Sequence, residues 1–215
     1  MLPMKIQLNK DKPLKILCLG AHCDDIEIGA GGTLLKLLDE YTIEQVTWII
    51  FSSNEVRKKE AAKSAERFLS HASGKKIIIN DFRDGFFPYE GNKIKEYFEQ
   101  LKDELSPDLI FTHYRDDRHQ DHRVISDLTW NTWRNHFILE YEIPKYDGDL
   151  GVPNFYVALE EKYMQKRNQI LLETFESQRS KHWFEDSTFS ALPRIRGMES
   201  ATKFAEAFYA RKLVL

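Results

Sequence analysis

Between residues 15 and 144, short apolar runs alternate with longer amphipathic ones, and this alternation narrows the folds open to the chain more than any other feature. "KILCLG" (15–20), "QVTWIIFSS" (45–53), "KKIIIN" (75–80), "DLIFTH" (108–113) and "HFILEYEIP" (136–144) are β-branched or aromatic runs of strand length. Between them lie segments with helical spacing. "IGAGGTLLKLLDE" (28–40) puts Leu34, Leu35 and Leu38 on one face, and "EVRKKEAAKSAERFLS" (55–70) gathers Val56, Ala61, Ala65, Phe68 and Leu69. "NKIKEYFEQLKDELSP" (92–107) is a helix halted before Pro107, and "DHRVISDLTWNTWRN" (121–135) is another. Strands that alternate with helices need crossover connections, which give a largely parallel sheet flanked by helices, an α/β Rossmann-like architecture.

Beyond Pro144 the periodicity weakens. "VPNFYVALE" (152–160) reads as a late strand, "EKYMQKRNQILLETFES" (161–177) as a helix and "SATKFAEAFYARKL" (200–213) as a terminal helix. Residues 177–196 show no period and read as a long loop or lid. With no repeat, low-complexity tract or linker, the 215 residues make a single domain: a core over about 14–144, with 145–215 completing the packing and the site.

Bulk composition removes several function classes. A net charge of -3 offers no basic surface for nucleic acid. Two cysteines, Cys18 and Cys23, are too few for a disulfide framework and fit a reducing compartment. No run approaches the ~20 apolar residues of a membrane span. The first twenty residues have no apolar targeting core, so the expected location is cytoplasmic.

Two polar clusters follow directly on predicted strands. "AHCDD" (21–25) comes after the first strand and "HYRDDRHQDH" (113–122) begins where the fourth ends. In open α/β sheets, sites form outside the carboxyl ends of strands, so neighbouring first and fourth strands would empty both clusters into one crevice. His22 and Asp25 are three apart, as are His119 and His122, a spacing that lets two side chains of a tight turn or first helical turn point the same way. Histidine and carboxylate ligands suit zinc, and a catalytic zinc takes about three protein ligands while leaving room for water. Asp24, beside this ligand pair, is placed to take a proton from that water. An Asp-Asp pair before a helix more ordinarily caps it, and a lone histidine after a strand is mostly structural. Here two such clusters coincide in one chain. His71, His136 and His182 lack such company and read as surface or core residues. Cys23 reads as a packing group. Gly29, Gly31 and Gly32 fit no phosphate-loop pattern and read as close helix packing.

These residues resemble the LmbE-like, or PIG-L, family of zinc-dependent deacetylases acting on N-acetylglucosamine-type substrates. The family motif A-H-P-D-D-E is matched by "AHCDDIE", with cysteine in place of proline at 23 and Ile26 displacing the acidic residue to Glu27. Its H-x-D-H motif, preceded by an aspartate, is matched by "DRHQDH" (117–122). Weaker similarity runs through "RKKEAAKSAERFL" (57–69), "DFRDGFF" (81–87) and "RGMESATKFAEAF" (196–208). The resemblance implies His22, Asp25 and His122 as ligands of one zinc per chain, or of another divalent metal, and Asp24 as general base. It implies that His119 polarises the carbonyl or protonates the leaving amine, with Asp121 orienting His119. Arg57 and Asp84 match positions that contact the sugar. The implied activity is hydrolysis of a linear amide, removing an N-acetyl group from a small sugar or sugar conjugate. A homo-oligomer is left open. Two rival readings remain: a two-metal phosphoesterase using the extra acids Glu27, Asp116 and Asp117, and a non-catalytic sugar- or metal-binding homologue.

Overall fold

Alternate side chains of β1 (Leu14–Gly20) face opposite layers of the core: Leu14, Ile16 and Cys18 on one side, Leu17 and Leu19 on the other. A strand buried on both faces belongs in a parallel sheet covered by helices above and below. The computed structural model describes residues 13–213. After β1 come α1 (Asp25–Glu40), β2 (Ile43–Ile50), α2 (Glu55–Phe68), β3 (Lys75–Ile79), α3 (Gly91–Glu104), β4 (Leu109–His113), α4 (Gln120–Thr132) and β5 (Phe137–Tyr141). The chain closes with β6 (Phe155–Leu159), α5 (Glu161–Thr174), α6 (Asp186–Glu199) and β7 (Phe204–Tyr209). The seven strands lie in the order β3-β2-β1-β4-β5-β7-β6, parallel from β3 to β5, with β7 antiparallel to both β5 and β6. Helices α1, α2, α5 and α6 supply the apolar layer that contains Ile26, Phe68, Ile170 and Phe189. Helices α3 and α4 supply the other, with Ile94, Phe98 and Ile125.

The chain leaves β1 toward β2 and β3, then returns to build β4 and β5 on the other side. The switch point therefore lies between β1 and β4, whose pairing runs from Ile16↔Leu109 to Cys18↔Phe111. This is where an open α/β sheet leaves a crevice at its carboxyl edge.

The five predicted strands and four predicted helices up to residue 144 each correspond to an observed element. The C-terminal part corrects two expectations. Residues 177–196 are not a loop throughout, because α6 begins at Asp186 and carries Pro193 in its interior. Residues 200–213 are not a helix: 204–209 form β7, which fills the gap between β5 and β6. "FAEAFY" satisfies a helical and an alternating pattern equally, and the two open strand edges decide between them.

The glycines of α1 are packing glycines, as expected. A Cβ at Gly29 would lie 2.7 Å from Cγ of Tyr141, a residue whose hydroxyl donates to Leu19 O at 2.7 Å. No helix among the described residues is long and apolar enough to cross a membrane. Most of the N-terminal segment read for a targeting sequence lies outside the described residues.

Candidate active site

β1 ends at Gly20 and α1 begins at Asp25, so residues 21–24 turn the chain out of the sheet. Among the bonds that hold this turn, Ala21 N–H donates to His113 Nε2 at 2.9 Å, and His22 N–H donates to Asp25 Oδ2 at 2.6 Å. Next door, β4 ends on His113, and α4 starts at Gln120 with His119 as its N-cap and His122 in its first turn.

At this junction His22 Nδ1 lies 3.2 Å from His122 Nε2 and 3.5 Å from Asp25 Oδ2, while Asp25 Oδ1 is 3.7 Å from His122 Nε2. Ligand atoms held ~2.0–2.2 Å from a tetrahedral ion are roughly 3.3–3.6 Å apart, so these three groups could hold one cation between them. The outer nitrogens are tied down. His122 Nδ1 bonds Asp117 Oδ2 at 2.9 Å, and His22 Nε2 meets Asp121 Oδ2 at 3.2 Å and Asp84 Oδ1 at 3.1 Å. A carboxylate on the outer nitrogen fixes the tautomer and turns the inner lone pair toward the site. Two such lone pairs facing each other beside a carboxylate repel unless a proton or a cation lies between them. This donor set fits zinc or a similar divalent ion.

Other groupings also bring ligand atoms within 4.8 Å: Asp25, His113 and His122; His22, His119 and His122; and His22, Asp84 and Asp121. They fit less well. His113 Nε2 already accepts the Ala21 amide, His119 Nδ1 already accepts the Asp121 amide, and Asp84 and Asp121 approach His22 from its outer nitrogen.

The electrostatics follow the same layout. Burial disfavours charge on His22, yet Asp121, Asp25 and Asp84 outweigh it and hold the imidazole well above its ordinary value. Burial and the neighbouring His113 push His122 down. Asp25 is held well below the usual carboxylate range by His122 and His113, against its burial. Burial raises Asp24, and Arg57, with Nη2 at 3.1 Å from Asp24 Oδ2, only partly reverses it. Asp24 occupies the N-cap position of α1 without making a side-chain cap bond, so its carboxylate is not spent on the helix.

His119 and Asp121 depart from the expected pairing. The Nδ1 of His119 accepts the backbone N–H of Asp121 at 3.3 Å. The Asp121 carboxylate turns elsewhere, accepting from Gly85 N–H at 2.7 Å and Phe87 N–H at 3.2 Å besides its contact with His22. It therefore orients His22 and pins the 85–87 turn, because α4 carries its carboxylate away from the His119 ring. The ring stands edge-on to His22, with centroids 4.8 Å apart. Burial and the charges of His122 and His22 lower the His119 pKa.

A cleft of about 870 Å³ opens over these groups. Asp24, Asp25, His22, His119 and His122 form its floor, and Arg57 and Asp84 stand on its wall. Arg57 is engaged by Asp24 and lies over the Phe175 ring, while Asp84 is largely exposed beside His22. Phe82, Tyr146 and Trp183 supply aromatic surface, and Lys145 and His182 also line the cleft. His182, read from sequence as surface or core, is thus a cleft residue brought in by the segment before α6. Nothing in its sequence neighbourhood announces this. Asp117 could be found from its place five residues before His122, whereas Lys145 carries no local signal. Cys23 donates its thiol to Ser52 O at 3.3 Å, and burial pushes the thiol up to about 12, so it packs as a neutral group. Glu27 and Asp117 are buried, Asp116 lies 3.7 Å from Arg211, and none of the three lines the cleft.

The fold is shared with solved proteins. N,N'-diacetylchitobiose deacetylase from Pyrococcus horikoshii superposes with a TM-score of 0.68 at 22% identity, over 95% of this chain and 86% of that one. The 4-carboxy-2-hydroxymuconate hydratase from Pseudomonas putida gives 0.74 at 13% identity, over 94% and 98%. The zinc-inhibited form of a teicoplanin deacetylase gives 0.69 at 13% identity, over 91% and 97%. At such identities the likeness establishes the fold. The family is set by the sequence itself: residues 17–133, from β1 through α4 and including both polar clusters, match the family described as GlcNAc-PI de-N-acetylase. The chain belongs to the PIG-L family.

Proposed function

We propose that this protein is a zinc-dependent N-deacetylase that removes the acetyl group from an N-acetylglucosamine-type sugar conjugate. The observation that carries the reading is the convergence of His22 Nδ1, His122 Nε2 and the Asp25 carboxylate, 3.2–3.7 Å apart, with the Asp24 carboxylate alongside, free of any cap bond and held by Arg57. A divalent ion bound by those three residues would lower the pKa of a bound water to about 7 and polarise the acyl oxygen. Asp24 accepts the proton of the attacking water, and its burial suits it to carry that proton. His119 has committed Nδ1 to a backbone N–H, so Nε2–H is the donor it offers to the developing oxyanion. With Nδ1 accepting that N–H, the ring is a neutral donor, and Asp24 returns the proton to the departing amine. Arg57 holds Asp24 in place at 3.1 Å, and Phe82, Tyr146 and Trp183 offer flat apolar faces of the kind that bind sugar rings.

A two-metal phosphoesterase is disfavoured, because Glu27, Asp116 and Asp117 do not reach the cleft where bridging carboxylates would stand. The deacetylases of the same fold support the substrate class, one acting on diacetylchitobiose and one on teicoplanin. The test is an amine-release assay against N-acetylated glucosamine conjugates. Because one deacetylase of this fold has a zinc-inhibited form, zinc is titrated from below one equivalent per chain. Amine release that rises with zinc up to one equivalent supports the reading. No release from any such conjugate, with hydration of an unsaturated carboxylic acid instead, would replace it with the chemistry named for the hydratase.

A further inference from the structure

We infer that Lys145 is a positioning residue of the candidate metal centre: its ammonium braces Asp117, and Asp117 in turn orients His122. Lys145 follows Pro144 in the loop beyond β5 and lines the cleft, where a lysine would ordinarily be read as a substrate contact. Its hydrogen bonds contradict that role. Nζ donates to Asp117 Oδ2 at 2.9 Å, to Asp149 Oδ1 at 2.7 Å and to Ile143 O at 3.3 Å. An ammonium has three donors, and all three are taken.

The oxygen that Lys145 holds, Asp117 Oδ2, is the same one that receives His122 Nδ1 at 2.9 Å. Asp117 Oδ1 accepts His119 N–H at 2.8 Å, and Asp149 Oδ2 accepts Arg118 N–H at 2.7 Å. Both carboxylates thus grip the short turn that delivers His119 and His122, and Lys145 locks the two together. No other lysine or arginine among the described residues lies within ion-pair reach of either carboxylate. Without the ammonium, two nearly buried carboxylates would face each other, and Asp117 would swing away from the His122 ring. The loop after β5 is thereby made part of the centre built by the loops after β1 and β4.

The inference rests on His22, Asp25 and His122 being the ligands, and one arm of its test does not need the metal. In metal-free protein labelled with 15N-histidine, the wild type should show His122 as a single Nδ1–H tautomer with a protected, hydrogen-bonded ring proton. Lys145→Met should lose that protection and mix the tautomers, while Lys145→Arg, which can bridge two carboxylates, should keep both. In zinc titration, Lys145→Met should bind about 10–100-fold more weakly, the range typical of lost outer-sphere support, with Lys145→Arg near wild type. Asp149→Asn leaves the Lys145–Asp117 bond in place and should weaken zinc binding far less than Lys145→Met. A wild-type His122 ring spectrum in Lys145→Met would overturn the inference, as would an effect on KM alone. Asp149→Asn proving as damaging as Lys145→Met would point instead to loop packing. Failure of the wild type to bind zinc would count against the deacetylase reading, while the ring spectra would still decide the brace.

Discussion

The stretch from β1 to β5 and the stretch after it are stabilised in different ways. The first is assembled from apolar side chains in regular order, as in β1, where Ile16 and Cys18 face one layer and Leu17 and Leu19 the other. The second is pinned by buried charge. Arg196 on α6 meets Glu142 at 2.8 Å, and Tyr209 on β7 donates to the same carboxylate at 3.0 Å. Arg167 on α5 meets Glu206 on β7 at 3.1 Å, and Glu206 also accepts the amides of Gly32 and Thr33 in α1. The first stretch brings most of the candidate chemistry to the sheet edge, and the second closes the fold around it.

Damage should therefore divide by region. The largest effect is expected at the strand ends: His122→Ala should lose metal binding and lower amine release by at least about 10³-fold. Metal content by mass spectrometry and the amine assay check both halves of that statement. Retained metal would remove His122 from the ligand set. Next in size is Arg196→Met, which strands Glu142 as an unpaired buried charge and should cost about 3 kcal/mol in urea unfolding. The double variant Arg196→Met with Glu142→Leu should regain much of that stability, because replacing a buried pair by apolar groups is often neutral. A single variant as stable as the wild type would erase the contrast between the two regions. Smaller still is Gly29→Ala, where the added methyl meets the Tyr141 ring and should cost about 1–3 kcal/mol by denaturation. Stability unchanged there would mean that α1 can move off β5 freely.

The same contrast explains what could be read from sequence. The two polar clusters were legible because each follows a strand that announces itself by an apolar run, and β1 and β4 are indeed neighbours. Helix α6 was not legible, because its buried face is Phe189, Pro193, Arg196 and Gly197, in which a proline, an arginine and a glycine stand where apolar letters are sought. The close approach at Gly197, where a Cβ would lie 2.8 Å from Phe204 Cα, is equally silent in sequence. β7 reads as a helix in sequence because Phe204 and Phe208 are four apart, a helical spacing, while the strand edges of β5 and β6 that claim it are far away in the chain. At the site, spacing singles out the pairs His22 with Asp25 and His119 with His122, and the ligand set His22, Asp25 and His122 is what the family resemblance implies. The partner of Asp121 does not follow from spacing, since which way a carboxylate turns at a helix start depends on what packs over it, here the amides of Gly85 and Phe87. Lys145 and His182 reach the cleft from the region whose packing the sequence hides.

Asp24 separates catalysis from metal holding more directly than any other residue, since it lies between the proposed ligands His22 and Asp25, makes no cap bond and pairs with Arg57 at 3.1 Å. The decisive measurement is metal content and amine release on wild type and Asp24→Asn, prepared side by side with one equivalent of zinc. The expected result is one zinc per chain in both proteins, with release from the variant reduced by about 10²–10⁴-fold. Equal activity in the two, or loss of zinc from the variant, would contradict the account.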